Sequence, residues 1–90
     1  MADIPVYPNI ESSQEVQGQM LVLKTSDSLE QVIQFYKTEF VKLGWVDSTM
    51  PSDPSIEAVQ LVFTRDNKTA MIMISVKEGK TIIMITQVGG

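Results

Sequence analysis

The stretch from Thr25 to Trp45 constrains the fold of this 90-residue chain more than any other, because a start signal, an amphipathic stripe and a stop follow one another in it. Asp27 reads as the N-cap, its carboxylate placed to accept free backbone N–H groups of a first helical turn, with Ser26 as a rival one residue earlier. Glu30 then falls at the third helical position, a capping-box spacing that also suits the helix dipole. Leu29, Val32, Ile33, Tyr36, Phe40 and Leu43 recur at intervals of three and four, and at about 100° per residue they share a sector roughly 100° wide. Gly44 can adopt the left-handed conformation that closes a helix, and Trp45 can fold back on the last turn as a core plug. Tyr36 falls in the buried stripe; Phe35, at its edge, is better placed for a lateral contact.

A lone amphipathic helix needs a sheet to bury its stripe, and the rest of the chain supplies strands. Gln19 to Thr25 contains the short apolar run Met20-Leu21-Val22-Leu23 and predicts a first strand. Trp45-Val46 opens a short second one. Glu57 to Arg65 alternates, with Val59, Leu61 and Phe63 on one side, and Thr69–Val76 and Thr81–Val88 follow after turns at Asp66-Asn67-Lys68 and Lys77-Glu78-Gly79-Lys80. The order is strand, helix, short strand, then a three-strand antiparallel meander. It predicts an α+β two-layer sandwich, one helix on a four- to five-stranded, mainly antiparallel sheet. Residues 1–90 make a single domain, with 19–88 as its core and 1–18 as an extended arm and loop around Pro5 and Pro8.

Composition narrows the chemistry. The chain has no Cys and no His, which removes thiol nucleophiles, His-based catalytic triads, disulfides and nearly every zinc, iron or copper site. Seven scattered basic residues against eleven acidic ones, a net charge of -4, argue against nucleic acid and anionic membrane as partners. No run approaches the roughly 18 apolar residues of a spanning helix, and Met1-Ala2-Asp3 does not open a signal peptide. Asp47, Asp53 and Glu57 are the nearest grouping of carboxylates. They flank a loop interrupted by Pro51 and Pro54, match no calcium-loop spacing and read as solvated. Thr25, Ser26 and Ser28 have no adjacent His or Lys to activate them. No catalytic residue, cofactor or metal is expected.

One feature breaks the pattern of a half-exposed sheet. A single helix covers one face, so the other should be polar. Yet Ala70, Ile72, Ile74 and Val76 alternate with Met71 and Met73, Ile82 and Met84 with Ile83 and Ile85, and Leu21 and Leu23 with Met20 and Val22. An apolar second face needs a cover. The arm Ile4–Ile10 folding back, a second copy, another protein, or an apolar ligand suited to adaptable thioethers would each provide one. The expected interaction surface is Met71, Met73, Ile83 and Ile85, with Leu21 and Leu23 beside them. Ile72, Ile74, Ile82 and Met84 exchange places with part of that set according to the face the helix takes. The expected function is a non-enzymatic binding module for homo-oligomerisation or protein–protein interaction. The alternative is a small carrier or sensor of an apolar ligand held between helix and sheet.

Ile4-Pro5-Val6-Tyr7-Pro8, the strand ending Thr25-Ser26-Asp27-Ser28, Val32-Ile33-x-Phe35-Tyr36-Lys37 and the Gly44-Trp45 stop resemble a recurrent small α+β domain of bacterial secreted and lipid-anchored proteins. The resemblance covers about residues 4 to 46. It implies an extracytoplasmic setting and no particular activity, and this chain has no lipid-attachment Cys.

Overall fold

In a computed structural model, which describes residues 6–16, 20–49 and 58–89, the elements run β1 (Ser12–Val16), β2 (Met20–Thr25), α1 (Leu29–Lys42), β3 (Val46–Asp47), β4 (Ala58–Arg65), β5 (Lys68–Lys77) and β6 (Lys80–Gly89). All strands join one six-stranded sheet in the order β1-β2-β6-β5-β4-β3, every neighbouring pair antiparallel. The expected α+β sandwich is present, with six strands instead of four to five. The extra strand is β1, Ser-Ser-Gln-Glu-Val, exposed along its whole length.

Four successive antiparallel pairings lead from β2 to β3, so these two strands run in the same direction on opposite sides of the sheet. The helix connecting them must therefore cross over β6, β5 and β4, and it covers the face it crosses. Its start lies one residue beyond the expected cap. Ser28 is the N-cap, its hydroxyl accepting the Gln31 N–H at 3.2 Å, while Gln31 Oε1 accepts the Ser28 N–H at 3.1 Å. Asp27 is occupied elsewhere, taking hydrogen bonds from the Tyr7 hydroxyl and the Asn9 amide. The stop is as expected: Gly44 has φ +91°, and the Trp45 N–H returns to the Phe40 carbonyl at 3.0 Å.

The covered, inner face is closely filled. Phe40 stacks on Phe63 of β4 at 4.3 Å between ring centres, and Trp45 meets Phe40 edge-on at 5.3 Å. Val32, Tyr36, Phe40, Phe63, Leu23, Ile72, Ile74, Ile83 and Ile85 are all fully buried. The N-terminal arm joins this layer. Tyr7 is buried, packs edge-on against Phe35 at 5.0 Å, and its N–H donates to the Tyr36 hydroxyl at 3.1 Å. The arm from Val6 to Ile10 thus lies on the helix side and does not fold across the second face; Ile4 and Pro5 lie outside the described residues.

Both meander turns are two-residue loops. Glu78 (φ +54°) and Gly79 (φ +78°) join Lys77 to Lys80, and Asp66 (φ +55°) with Asn67 joins Arg65 to Lys68. Lys68, read from sequence as part of the turn, is the first residue of β5.

Candidate interaction surface

The two tight turns set which side chains share a face. With Lys77 opposite Lys80, Met73 falls opposite Met84; with Arg65 opposite Lys68, Gln60 falls opposite Met73. Residues directly opposite in an antiparallel pair point to the same side. The face away from the helix can therefore be read in rows across the strands. One row runs Val16, Met20, Thr86, Met71, Val62, and the next runs Gln14, Val22, Met84, Met73, Gln60. Neither contains a charge. The third runs Ser12, Lys24, Ile82, Ser75, Ala58, and charge appears only there and at the β5–β6 turn, where Lys77 and Lys80 face each other.

This arrangement divides the six residues expected to form the surface. Met71 and Met73 lie on the outer face, Met73 being 45% exposed. Leu23, Ile83 and Ile85 are fully buried under the helix, and Leu21 is partly buried against the same core. They belong to the inner face because the β5–β6 register places Ile83 opposite Ile74 and Ile85 opposite Ile72. Their places outside are taken by Ile82 and Met84, with Val22 and Met20 beside them; Met84 is 37% exposed. Counting outward from Glu78-Gly79 would have separated the two sets. All four described methionines (Met20, Met71, Met73 and Met84) are on the outer face and none is in the core.

On the opposite side, a groove of ≈ 620 Å³ runs between the arm and the exposed flank of α1, with Tyr7, Pro8 and Phe35 as its apolar part and Gln34 and the carboxylates Glu30 and Glu39 within its polar part. Its arm wall is held by a polar network. The Thr25 hydroxyl donates to the Asn9 carbonyl, and the Thr81 hydroxyl donates to the Asp27 carbonyl at 2.7 Å. Burial, then the hydrogen bond to Asp27, pushes the Tyr7 hydroxyl up to about 12. The same bond, with that from Asn9, holds the Asp27 carboxyl below its ordinary value. Burial also raises the Tyr36 hydroxyl. At neutral pH both phenols keep their protons; the Tyr7 hydroxyl donates to Asp27, whose carboxylate is thereby doubly occupied, while the Tyr36 hydroxyl accepts the Tyr7 N–H.

The carboxylates singled out from sequence do not assemble here. Asp47 accepts the Thr49 N–H at 3.0 Å, closing a local turn, while Asp53 and Glu57 lie outside the described residues. Among the described residues, no three acidic, His or Cys side chains converge on a metal position, and no helix is long and apolar enough to cross a membrane.

A family model described as START domain-like matches residues 6–81, a span running from the arm into β6. No curated protein and no solved structure matches the chain.

Proposed function

The chain belongs to the START domain-like family, a fold that often binds ligands or mediates interactions, and from that premise we propose that it is a non-enzymatic module for homo-oligomerisation or protein–protein interaction through the outer face of its sheet. The observation that carries this reading is the pair of adjacent rows, free of charge across five strands, with Met73 and Met84 half-exposed at their centre. Depletion of charge and enrichment in methionine mark the centres of protein interfaces. Thioethers on flexible stems also fit an incoming surface more readily than branched side chains do. The alternative, an apolar ligand held between helix and sheet, is disfavoured because Phe40, Phe63 and Tyr36 occupy that space.

Methionine oxidation tests the reading whatever the identity of the partner. Brief peroxide treatment, with free N-acetylmethionine as an internal clock, is applied to an extract of the source cells and to the purified protein at nanomolar concentration. Sulfoxide at Met73 and Met84 is then counted by mass spectrometry. Strong protection in the extract and free oxidation in the dilute protein are expected. Equal rates in the two samples would refute a covered face. The extracytoplasmic bacterial setting is part of the proposal and rests on the motif between Ile4 and Trp45 alone. Recovery of the protein from the envelope or secreted fraction supports it, and recovery from cytosol alone rejects it.

A further inference from the structure

Two adjacent rows of the outer face read the same, or nearly the same, in either direction from β6, and we infer that its partner is a second copy of this chain, packed sheet against sheet about a two-fold axis running along β6. The inference rests on the reading of that face as an interaction surface. The first row reads Val16, Met20, Thr86, Met71, Val62, the same residue types in either direction from Thr86. The second reads Gln14, Val22, Met84, Met73, Gln60, and differs from a palindrome only by Val22 against Met73.

A two-fold axis in the interface, parallel to β6, keeps each row in register and exchanges the strands on either side. Met20 of one copy then meets Met71 of the other, Val16 meets Val62, and Gln14 meets Gln60. Thr86, Met84, Ile82 and Val88 each meet themselves. Apolar groups fall on apolar groups, and the two amides at the margin can bond each other. Lys24 faces Ser75 and not another cation. Lys80 also lies on the axis, but at the turn, where it is already paired with Glu11 at 2.8 Å. The two sheets would pack with strands nearly aligned, as in β-sandwiches.

Size fits a weak dimer. Five strands at about 4.8 Å and three two-residue rows at about 6.8 Å span roughly 24 by 20 Å. That is about 490 Å² per copy and about 1,000 Å² in total, at the threshold of about 1,000 Å² for a biological interface and in the range of weaker, concentration-dependent association. An isologous interface must present self-complementary chemistry, and these rows do.

Because the chain has no Cys, single-cysteine variants report the register directly. Light scattering over a wide concentration range should show a monomer–dimer equilibrium, and Met73→Lys should remain monomeric at concentrations about 100-fold above the wild-type midpoint. With a short bis-maleimide, Thr86→Cys should cross-link to itself. Gln14→Cys alone should not, since its two copies stand about four strand spacings, or about 19 Å, apart. Gln14→Cys mixed with Gln60→Cys should. A monomer at every concentration overturns the inference, as does a dimer that survives Met73→Lys or in which Gln14→Cys links to itself. If the monomer's methionines are nevertheless protected in the source extract, the face binds a different protein and only the second-copy inference falls. If protection is absent as well, the interaction reading falls with it.

Discussion

Ile83 and Met84 are neighbours on β6, yet Ile83 is fully buried while Met84 is 37% exposed. The same contrast divides the whole sheet. Both faces are apolar, so hydrophobicity does not decide which becomes core. The connection does: β2 and β3 lie on opposite sides of the sheet, and the helix between them covers whichever face it crosses. What each face is built from then differs in kind. The inner one uses Ile, Leu, Val and aromatic rings, whose restricted shapes interlock. The outer one holds the described methionines, which tolerate an approximate fit.

The sharpest way to break this comparison is to place a lysine at each of the two neighbours. Ile83→Lys buries an uncompensated charge and should cost on the order of 5 kcal/mol or more, enough to leave a small domain unfolded. Met84→Lys should change the free energy of folding by no more than about 0.5 kcal/mol in urea melts, its effect being confined to association. Equal damage from both would mean that the faces are not distinct. A step down in size, Phe40→Ala removes the ring between helix and Phe63 and should cost about 3–5 kcal/mol. A loss below about 1 kcal/mol would show that the inner layer is not filled as described.

The smallest effect concerns the arm that completes the inner layer. The Asp27 carboxyl is held low by Tyr7 and Asn9, so its charged form is favoured in the fold. Its contribution is present above the ordinary carboxylate value and lost as pH falls through the lowered one. The Tm difference between wild type and Asp27→Asn should therefore shrink on acidification. Tyr7 moves from 10.0 to about 12, which has the opposite sense. Its contribution is full below 10 and disappears as pH rises toward 12, and Tyr7→Phe should remove that alkaline limb. A pH-independent difference in either series would rule out the Tyr7–Asp27 contact as its source.

Local signals in the sequence identified the helix, its glycine stop and the alternating strands, because periodicity and turn chemistry act over a few residues. Three features depended on distant groups. Asp27 looked like the cap, but Tyr7 and Asn9 recruit its carboxylate from 20 and 18 residues away, leaving the cap to Ser28. β1 carries no hydrophobic alternation; it is a strand because β2 offers it an open edge. The arm was one expected cover for the second face, and the Tyr36 hydroxyl and the Phe35 ring hold it on the first. The assignment of residues to the two faces failed for a different reason. That Met84 lies on the outer face beside Met73, and Ile83 on the inner one, was available from the length of the Glu78-Gly79 loop.

The crossover that covers one face also sets the order in which the chain can assemble. Thr81 and Asp27 are joined across 54 residues, so β2 and the helix can dock only after a long loop has closed. The β4–β5–β6 meander, with its two-residue loops, needs only local closure. Loop-closure entropy therefore weighs least on the contacts within the meander and most on those that bring β2 and the helix to it.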